Sequence, residues 1–409
     1  MRLYLLALNP TDSVSHGFLP AARRLGLRVT VLTDQPAAHR AAVADEEGEE
    51  RGGEVEVLEC DVRDVHAVIT RISTHHTPDA VFSNSDHLQT QTALAAAYFG
   101  LTGKDWRAAL RTKDKALMRR RLAETGADTV WSAELAAGQG PGELRTLPVP
   151  YPCVLKPREG VASEDVVRAE EPGELVRQAR EIRARRGDVA LVVEEYLDGE
   201  LCTLETLGDA DGIRHVLGGF HSELSPPPHF IELGHTYVPA HPEDITRQVL
   251  AQLAALGVGL GACHTEFVVR GGRARLIEVN YRAIGDQCDL LLARMLGIPL
   301  FEHILRTHLG EPLAADLGAR ENVRARVVFP LADRAGTLVS APEAAELEAD
   351  GVRLAYRPLR ATGERHELYR TNRDFLGVVR AYGTEGTDQA TVDRAVDAFL
   401  AARRWEIAP

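Results

Sequence analysis

Two acidic residues near the middle of the chain are spaced so that they could hold a divalent cation together. Alternate side chains of a β-strand share one face, so Glu278, Asn280 and Arg282 would point the same way. A three-residue hairpin loop over 271–273 would place Glu266 directly opposite Glu278, whereas a two-residue loop would separate them. The spacing therefore predicts a hairpin that presents both carboxylates on one face.

Such a pair of carboxylates requires a cation between them. Two bare carboxylates at ~4 Å repel by roughly 4 kcal/mol at an effective dielectric constant of ~20. Two carboxylates and the Asn280 amide form an all-oxygen ligand set, which favours Mg²⁺ together with substrate phosphates. Arg282 could then stabilise charge on a phosphoryl group during its transfer. A surface hairpin of alternating polar residues is the alternative, which the apolar neighbours Phe267 and Ile277 disfavour.

Composition limits the class of protein. The 409 residues suggest two to four structural units, and the net charge of −13 argues against general affinity for nucleic acid or anionic membranes. The sequence contains no apolar stretch of ~18 residues, so no membrane span is predicted. The apolar run at 3–8 is too short for a signal peptide. The five cysteines are scattered without C-x-x-C spacing, which predicts reduced thiols in a cytoplasmic protein.

Lysine usage points to a phosphate site. Only four of the 47 basic residues are lysines, so a retained lysine indicates a place that needs a compact ammonium. Lys156 ends an apolar strand and precedes a loop of small residues whose backbone N–H groups, including those of Gly160 and Ser163, could cradle phosphate oxygens. Lys115 begins a helix and could reach the same nucleotide, with a solvated surface lysine as the alternative.

A second segment could bind a nucleoside. The apolar strand Leu191–Val193 leads into the acidic segment 194–200. Backbone groups at the end of such a strand can bind an adenine edge, and the carboxylate of Glu200 can accept from ribose hydroxyls. Taken alone, this pattern is a strand followed by an acidic turn.

The first hundred residues alternate strands and helices, which predicts a parallel sheet. No G-x-G-x-x-G follows the first strand, so an NAD-dependent oxidoreductase is disfavoured. His16 lies in the loop after that strand, where it could contact a substrate or belong to a helix-capping loop. The acidic segment Ala41–Glu54 is expected to be an exposed loop or helix end.

Along the chain these parts come in the order Lys115, Lys156 with its loop, 194–200, Glu266, Glu278, Asn280 and Arg282. In this order they resemble the ATP-grasp superfamily of carboxylate–amine ligases over residues 1–310. The segment 369–383 resembles, more weakly, the C-terminal lid of biotin-carboxylase-like members. The resemblance implies an α/β and α+β multidomain fold, with an N-terminal parallel α/β pre-ATP-grasp domain, a two-lobed ATP-grasp fold and a C-terminal mixed lid domain. The expected bounds are 1–104 for the first domain, 105–198 for the small lobe with its linker helix, 199–310 for the large lobe and 311–409 for the lid domain.

The same resemblance implies roles for single residues. Lys115 and Lys156 would bind ATP phosphates, and Arg282 would be the catalytic residue that steadies the transferring phosphoryl group. Adenine would meet backbone groups of Glu195 and Leu197. The full set expected to bind ATP is Lys115, Lys156, Gly160, Ser163, Glu194, Glu195, Leu197 and Glu200. The residues expected to bind Mg²⁺ or Mn²⁺ are Glu266, Glu278 and Asn280.

The segment 226–237 resembles the lining of the acceptor pocket in amino-acid ligases of this superfamily. Glu232 could pair with a substrate ammonium, and His235 could be a hydrogen-bond donor or a base. A proline-stiffened edge strand with a locally satisfied histidine is the alternative. Asp286 could hold an amine as well, and an N-terminal cap for the following helix is its alternative role.

The resemblance implies an ATP- and Mg²⁺-dependent ligase that activates a carboxylate as an acyl phosphate and joins it to an amine, with an amino acid as a substrate and a peptide- or siderophore-like metabolite as product. Carboxyphosphate chemistry of the biotin carboxylase type and a non-catalytic nucleotide-binding regulator are the alternatives. The expected partners are a small carboxylate and a small amine, with no nucleic acid and no membrane. A homodimer is left open.

Overall fold

The computed structural model describes residues 1–46, 55–384 and 386–409. Residues 47–54 of the acidic segment expected to form a loop or helix end lie outside the described residues. Within the described ranges no helix combines the length and the apolar character needed to cross a bilayer.

The N-terminal part is a parallel sheet in the order β3-β2-β1-β4, with helices as connections. This confirms the predicted parallel α/β unit, because each apolar strand is followed by a helix that returns the chain to the same edge. The elements are β1 (Arg2–Leu6), α1 (Leu19–Arg24), β2 (Arg28–Thr33), α2 (Pro36–Glu46), β3 (Val55–Glu59), α3 (Val65–Ser73), β4 (Ala80–Phe82) and α4 (Gln89–Tyr98).

A second, antiparallel sheet follows in the order β5-β8-β6-β7. The helix α6 begins at Lys115 because the Asp114 carboxylate accepts a hydrogen bond from the Leu117 N–H at 3.0 Å and so caps it. The elements are α5 (Trp106–Lys113), α6 (Lys115–Glu124), β5 (Ser132–Leu135), β6 (Cys153–Pro157), β7 (Val167–Ala169), α7 (Pro172–Arg186) and β8 (Leu191–Glu195).

A large antiparallel sheet occupies most of the rest of the chain, in the order β14-β13-β9-β11-β12-β15-β20-β18-β17, with β10 paired to β9. Residue 310 is the expected boundary between the large lobe and the lid domain. Strands from both sides of it belong to this one sheet, so the C-terminal strands extend the sheet that the middle of the chain begins. The elements are β9 (Leu201–Asp209), β10 (Gly212–Val216), β11 (Gly219–Leu224), β12 (Glu232–Val238), α8 (Glu243–Leu256), β13 (Gly261–Arg270), β14 (Arg273–Asn280), α9 (Cys288–Leu296), α10 (Leu300–His308), β15 (Ala325–Val328), β16 (Gly336–Ser340), β17 (Ala345–Ala349), β18 (Val352–Pro358), β19 (Arg365–His366), β20 (Gly377–Gly383), α11 (Gln389–Ala401) and β21 (Glu406–Ala408).

The turn of the β13–β14 hairpin has two residues. Gly271 and Gly272 have φ of 57° and 72°, as a type I′ turn requires at both central positions. Arg270 pairs with Arg273 across this turn. The predicted three-residue loop is therefore wrong.

A β-bulge restores the predicted opposition of the two carboxylates. The register shifts between Phe267, which pairs with Leu276, and Glu266, which pairs with Glu278, so that Ile277 is an extra residue. The expectation that a two-residue loop separates the carboxylates is therefore wrong as well. The bulge also exchanges the faces of β14, since Leu276 packs in the core before it and Val279 packs there after it.

β9 is an interior strand of the large sheet, between β13 and β11, and its close packing depends on glycine. A Cβ atom added at Gly208 would lie 1.9 Å from the carbonyl oxygen of Gly259. No side chain fits there without displacing backbone.

We expect Gly208→Ala to lower the free energy of unfolding by about 2–3 kcal/mol, because backbone must move to admit the methyl group. The measurement is urea unfolding followed by tryptophan fluorescence. The control is Gly142→Ala, where an added Cβ has no heavy atom within 4 Å. Equal unfolding midpoints for the two variants would contradict this account of β9.

Candidate active site

A cleft of about 780 Å³ lies where the small antiparallel sheet, the β13–β14 hairpin and the N-terminal loops meet. Fourteen of the residues predicted from the sequence line it: Lys115, Lys156, Gly160, Ser163, Glu194, Glu195, Leu197, Glu232, His235, Glu266, Glu278, Asn280, Arg282 and Asp286. The fold thus brings residues from two sheets, a helix and several loops into one cavity.

The acidic hairpin faces this cleft with its predicted ligand set together. The Asn280 Nδ2 donates to Glu266 Oε1 at 3.4 Å, and Lys115 Nζ donates to Glu278 Oε1 at 2.9 Å. Burial alone would lower the pKa of Lys115, but the Glu278 carboxylate outweighs it and raises that pKa. Lys115 therefore partly neutralises the acidic pair.

A second cation near the pair is His264, which the sequence analysis did not select. Its Nδ1 lies 2.7 Å from Glu205 Oε1 and its Nε2 lies 3.5 Å from Glu266 Oε1. Burial opposes the charged imidazole, but Glu205 and then Glu266 raise the pKa of His264 to about 10. Burial likewise opposes ionisation of Glu266, and the neighbouring His264 lowers the pKa of that carboxyl overall.

Lys156 belongs to a buried charge cluster at the opposite wall. Lys156 Nζ lies 2.8 Å from Glu194 Oε2, and Arg119 binds both oxygens of the same carboxylate at 2.8 and 2.9 Å. Burial would raise the pKa of Glu194, yet Arg119 and Lys156 lower it to about 2. Burial lowers the pKa of Lys156 although Glu194 raises it. Two cations on one carboxylate give this cluster a net positive charge, which suits phosphate groups.

The loop that follows Lys156, residues 158–166, is called the phosphate loop, and Gly160 is its single glycine. Ala162 and Ser163 have φ of 57° and 56°, in the left-handed region where glycine is favoured. The C-terminal part of the chain supports this loop. Asn372 N–H donates to the Ala162 carbonyl at 3.3 Å, and Arg373 Nε lies 2.5 Å from Glu164 Oε1.

The predicted acceptor residues form the other end of the cleft. Glu232 Oε2 accepts from Asn372 Nδ2 at 2.8 Å and lies 3.9 Å from His235 Nε2. Burial, and then the charges of Glu266 and Asp286, raise the pKa of Glu232 above its ordinary range. Burial lowers the pKa of His235 to about 4, so its imidazole is neutral at neutral pH. This end of the cleft carries excess acidic groups.

Two predicted residues are not among those that line the cleft. Glu200 lies between the lining residues Gly199 and Leu201, and its Oε1 is 2.8 Å from His221 Nδ1. His16 lies one turn beyond Asp12, with its Nε2 3.9 Å from Asp12 Oδ1. Asp12 lines the cleft, whereas His16 is not among the lining residues, so a contact of His16 with a substrate stays a prediction.

The sequence of residues 149–290 matches the family description of an ATP-grasp domain. The chain carries an ATP-grasp domain. That range contains the loop after Lys156, β8 and the whole β13–β14 hairpin, so the match includes most of the charged residues that line the cleft.

Similar proteins extend the likeness beyond the ATP-grasp domain. An uncharacterized protein y4rH of Sinorhizobium fredii (strain NBRC 101917 / NGR234) is 27% identical over 356 residues, which are 83% of this chain and 70% of that protein. The structure of an L-amino acid ligase from Bacillus licheniformis superposes with a TM-score of 0.78 at 20% identity, over 100% of this chain and 99% of the other.

A third similar structure is the biotin carboxylase domain of the Hydrogenobacter thermophilus 2-oxoglutarate carboxylase, solved with MgADP, ADP and bicarbonate. It has a TM-score of 0.69 at 15% identity, over 100% of this chain and 91% of that chain. These structural likenesses show that the whole chain shares the fold of these proteins.

Arg119 and His264 were missed although each carried a sequence signal. Arg119 is four residues after Lys115 on α6, so both lie on one helix face. His264 is two residues before Glu266 on β13, so both lie on one strand face. Nothing in the sequence indicated that their partners would be Glu194 and Glu205, since these partners come from distant segments.

We expect Arg119→Ala to lower the free energy of unfolding by about 3–5 kcal/mol, because it leaves the buried Glu194 with one cation in place of two. Thermal and urea unfolding provide the measurement. The matched control is Arg177→Ala, which removes a half-exposed arginine paired with Glu174 at 3.3 Å, and which should change stability by about 0–1 kcal/mol. A loss in Arg119→Ala no larger than in the control would show that this cluster does not stabilise the ATP-grasp domain.

Proposed function

We propose that this protein is an ATP- and Mg²⁺-dependent ligase that activates a carboxylate as an acyl phosphate and joins it to an amine, with an amino acid as a substrate. The observation that carries the proposal is the distribution of charge in one cleft. It has a cationic wall around Lys156, an acidic hairpin with Glu266 and Glu278, and an acidic acceptor end around Glu232 and Asp286. The full-length likeness to an L-amino acid ligase supports the same reading. The product is a small peptide-like or siderophore-like metabolite.

The hairpin residues fit a divalent cation. Glu266 and Glu278 are directly paired across the strands, and Asn280 lies within 3.4 Å of Glu266. Carboxylate and amide oxygens are the ligands that Mg²⁺ prefers, and Mn²⁺ accepts the same set. Glu266, Glu278 and Asn280 would hold the ion, which when bound supplies charge neutralisation for a terminal phosphoryl group.

The chain's own cations would orient the nucleotide. Lys156 keeps protons beyond the one directed at Glu194, and these can donate to phosphate oxygens together with Lys115 and the N–H groups of Gly160 and Ser163. Arg282 lines the cleft beside the hairpin and would stabilise negative charge on the phosphoryl group in transfer.

The nucleoside would lie along the end of β8. Glu195 and Leu197 line the cleft. The Glu195 N–H already donates to the Trp131 carbonyl, so adenine would meet the other backbone groups of these two residues. Glu194 acts here through its charge cluster, holding Lys156 in place. Glu200 Oε1 is engaged by His221, and its second oxygen can accept from a ribose hydroxyl.

The acceptor end would orient an amino acid by its two charges. Its ammonium would pair with Glu232 and Asp286, which relieves the repulsion that raises the pKa of Glu232. Its carboxylate would then point toward Arg282 and the phosphoryl donor. We also place the protein in the cytoplasm, a setting consistent with five free, buried cysteines.

Carboxyphosphate chemistry is the second candidate, because the chain also covers 91% of a biotin carboxylase domain solved with bicarbonate. The experiment that separates the candidates is ADP release from ATP with a panel of amino acids, with and without bicarbonate, and mass spectrometry of the products. Release that needs an amino acid and yields an amide supports ligation. Bicarbonate-dependent release supports carboxylation, and tight ATP binding without release supports a regulator.

Glu278→Gln should lower ADP release by at least about 100-fold, because it removes one negative ligand of the cation that offsets phosphoryl charge. The control, Glu223→Gln, changes an exposed residue of β11 and should keep wild-type rates. Circular dichroism establishes that both variants fold. Near-normal turnover in Glu278→Gln would remove the metal assignment.

Glu232→Gln should raise the KM for the amino acid by about tenfold or more while leaving the KM for ATP within about twofold, since a neutral amide loses the charge-assisted bond to an ammonium. Initial rates with each substrate varied in turn provide the two constants. A change confined to the ATP constant would assign Glu232 to the nucleotide instead.

A further inference from the structure

A histidine pair and a cysteine meet on the face of the large sheet that lies opposite the cleft. Cys202 of β9 is directly opposite His221 of β11 in the strand register. His241 reaches the same place from the segment between β12 and α8. One ligand atom from each of the three lies within 4.8 Å of the other two. We call these residues the Cys–His–His cluster.

The second nitrogen of each histidine is already held by an acceptor. His241 Nε2 lies 2.8 Å from the Thr203 carbonyl, which can only accept, so Nε2 carries the hydrogen and Nδ1 keeps its lone pair. His221 Nδ1 lies 2.8 Å from Glu200 Oε1, which leaves Nε2 with a lone pair. Carboxylate and carbonyl partners of this kind orient histidines that bind metals.

The cluster is separate from the cleft. Leu201 lines the cleft, and the next side chain along β9, that of Cys202, points to the opposite face and packs in the core beneath α8. Cys202 is buried, while 38% of the His221 side chain is exposed. A metal ion could therefore reach the cluster from solvent, and a water molecule could complete its coordination.

We propose that Cys202, His221 and His241 bind one Zn²⁺ ion, with water as the fourth ligand. One thiolate sulfur and two imidazole nitrogens form a donor set that suits zinc, and the soft sulfur disfavours Mg²⁺ and Ca²⁺. Tetrahedral Zn–S and Zn–N bonds require donor atoms about 3.3–3.6 Å apart. The three donor atoms already lie within 4.8 Å of one another, so movements of about 1 Å by the side chains would bring them to this spacing. The cysteine loses its proton to solvent on binding, and no oxidation or reduction takes place.

Such an ion would tie β9, β11 and the start of α8 together. Through His221 it would also fix Glu200, which borders the mouth of the cleft beside Gly199. This proposal does not depend on the ligase function, because the cluster would bind zinc whether or not the cleft turns over ATP.

The test uses the full chain after dialysis against EDTA, with Zn²⁺ uptake measured by competition with a chromogenic chelator. Wild-type protein should bind one equivalent at this site and raise its melting temperature with zinc. Cys202→Ala and His221→Ala should each weaken that binding by at least about tenfold. His221→Ala changes a partly exposed side chain, so it stays informative if the buried cysteine variant does not fold.

Controls assign the zinc to this cluster. Cys60→Ala removes a buried cysteine elsewhere, His75→Ala disrupts the surface group of Glu56, His75 and His76, and Glu278→Gln changes the cleft hairpin. All three should retain the tight equivalent. Co²⁺ should also give a thiolate charge-transfer absorption that Cys202→Ala abolishes. Absent uptake by the wild type, or equal uptake by His221→Ala, would overturn the proposal.

Discussion

The opposition of Glu266 and Glu278 across one hairpin is the constraint on which the rest of the cleft depends. Two carboxylates in register repel, and the fold keeps them together with a bulge at Ile277 that corrects the register set by the two-glycine turn. Compensation comes from Lys115 on one carboxylate and His264 on the other. A hairpin built against its own electrostatics in this way is pre-organised for a divalent cation.

The cations near this acidic hairpin come from separate elements of the chain, which makes the cleft a property of the tertiary structure. Lys115 begins α6, Lys156 lies near the end of β6, and the Glu194 carboxylate that holds Lys156 belongs to the neighbouring strand β8. The C-terminal part of the chain closes the arrangement, since Asn372 bonds both Glu232 and the phosphate loop. Because Asn372 contacts both the phosphate loop and Glu232, a movement of one of these groups can change the position of the other.

Strand periodicity predicted that Glu278, Asn280 and Glu266 share a face, because alternation along a strand is a local property. The lysines were selected from the rarity of lysine in this chain, and the acceptor residues Glu232 and His235 from a resemblance to amino-acid ligases. Prediction from the sequence failed where the decisive partner is distant. Glu205 lies 59 residues from His264, and Arg119 lies 75 residues from Glu194, so strand order had to be known first. The bulge at Ile277 was missed for another reason. Ile277 is apolar like Leu276 before it in β14, so its residue type gave no sign that it is an extra residue in the strand.

Charge also discriminates between the two reactions that this fold can support. Bicarbonate is an anion, and it would have to approach Glu232 beside Glu266 and Asp286, whose charges already raise the pKa of Glu232. An amino acid brings an ammonium to that end and a carboxylate to the end that Arg282 lines, so each of its charges meets the opposite sign. The neutral His235 adds no positive charge there, and the nearby cations His264 and Arg282 already act on Glu266 and Asp286. This balance of charges is the reason that our proposal places an amine, and not bicarbonate, at the acceptor end.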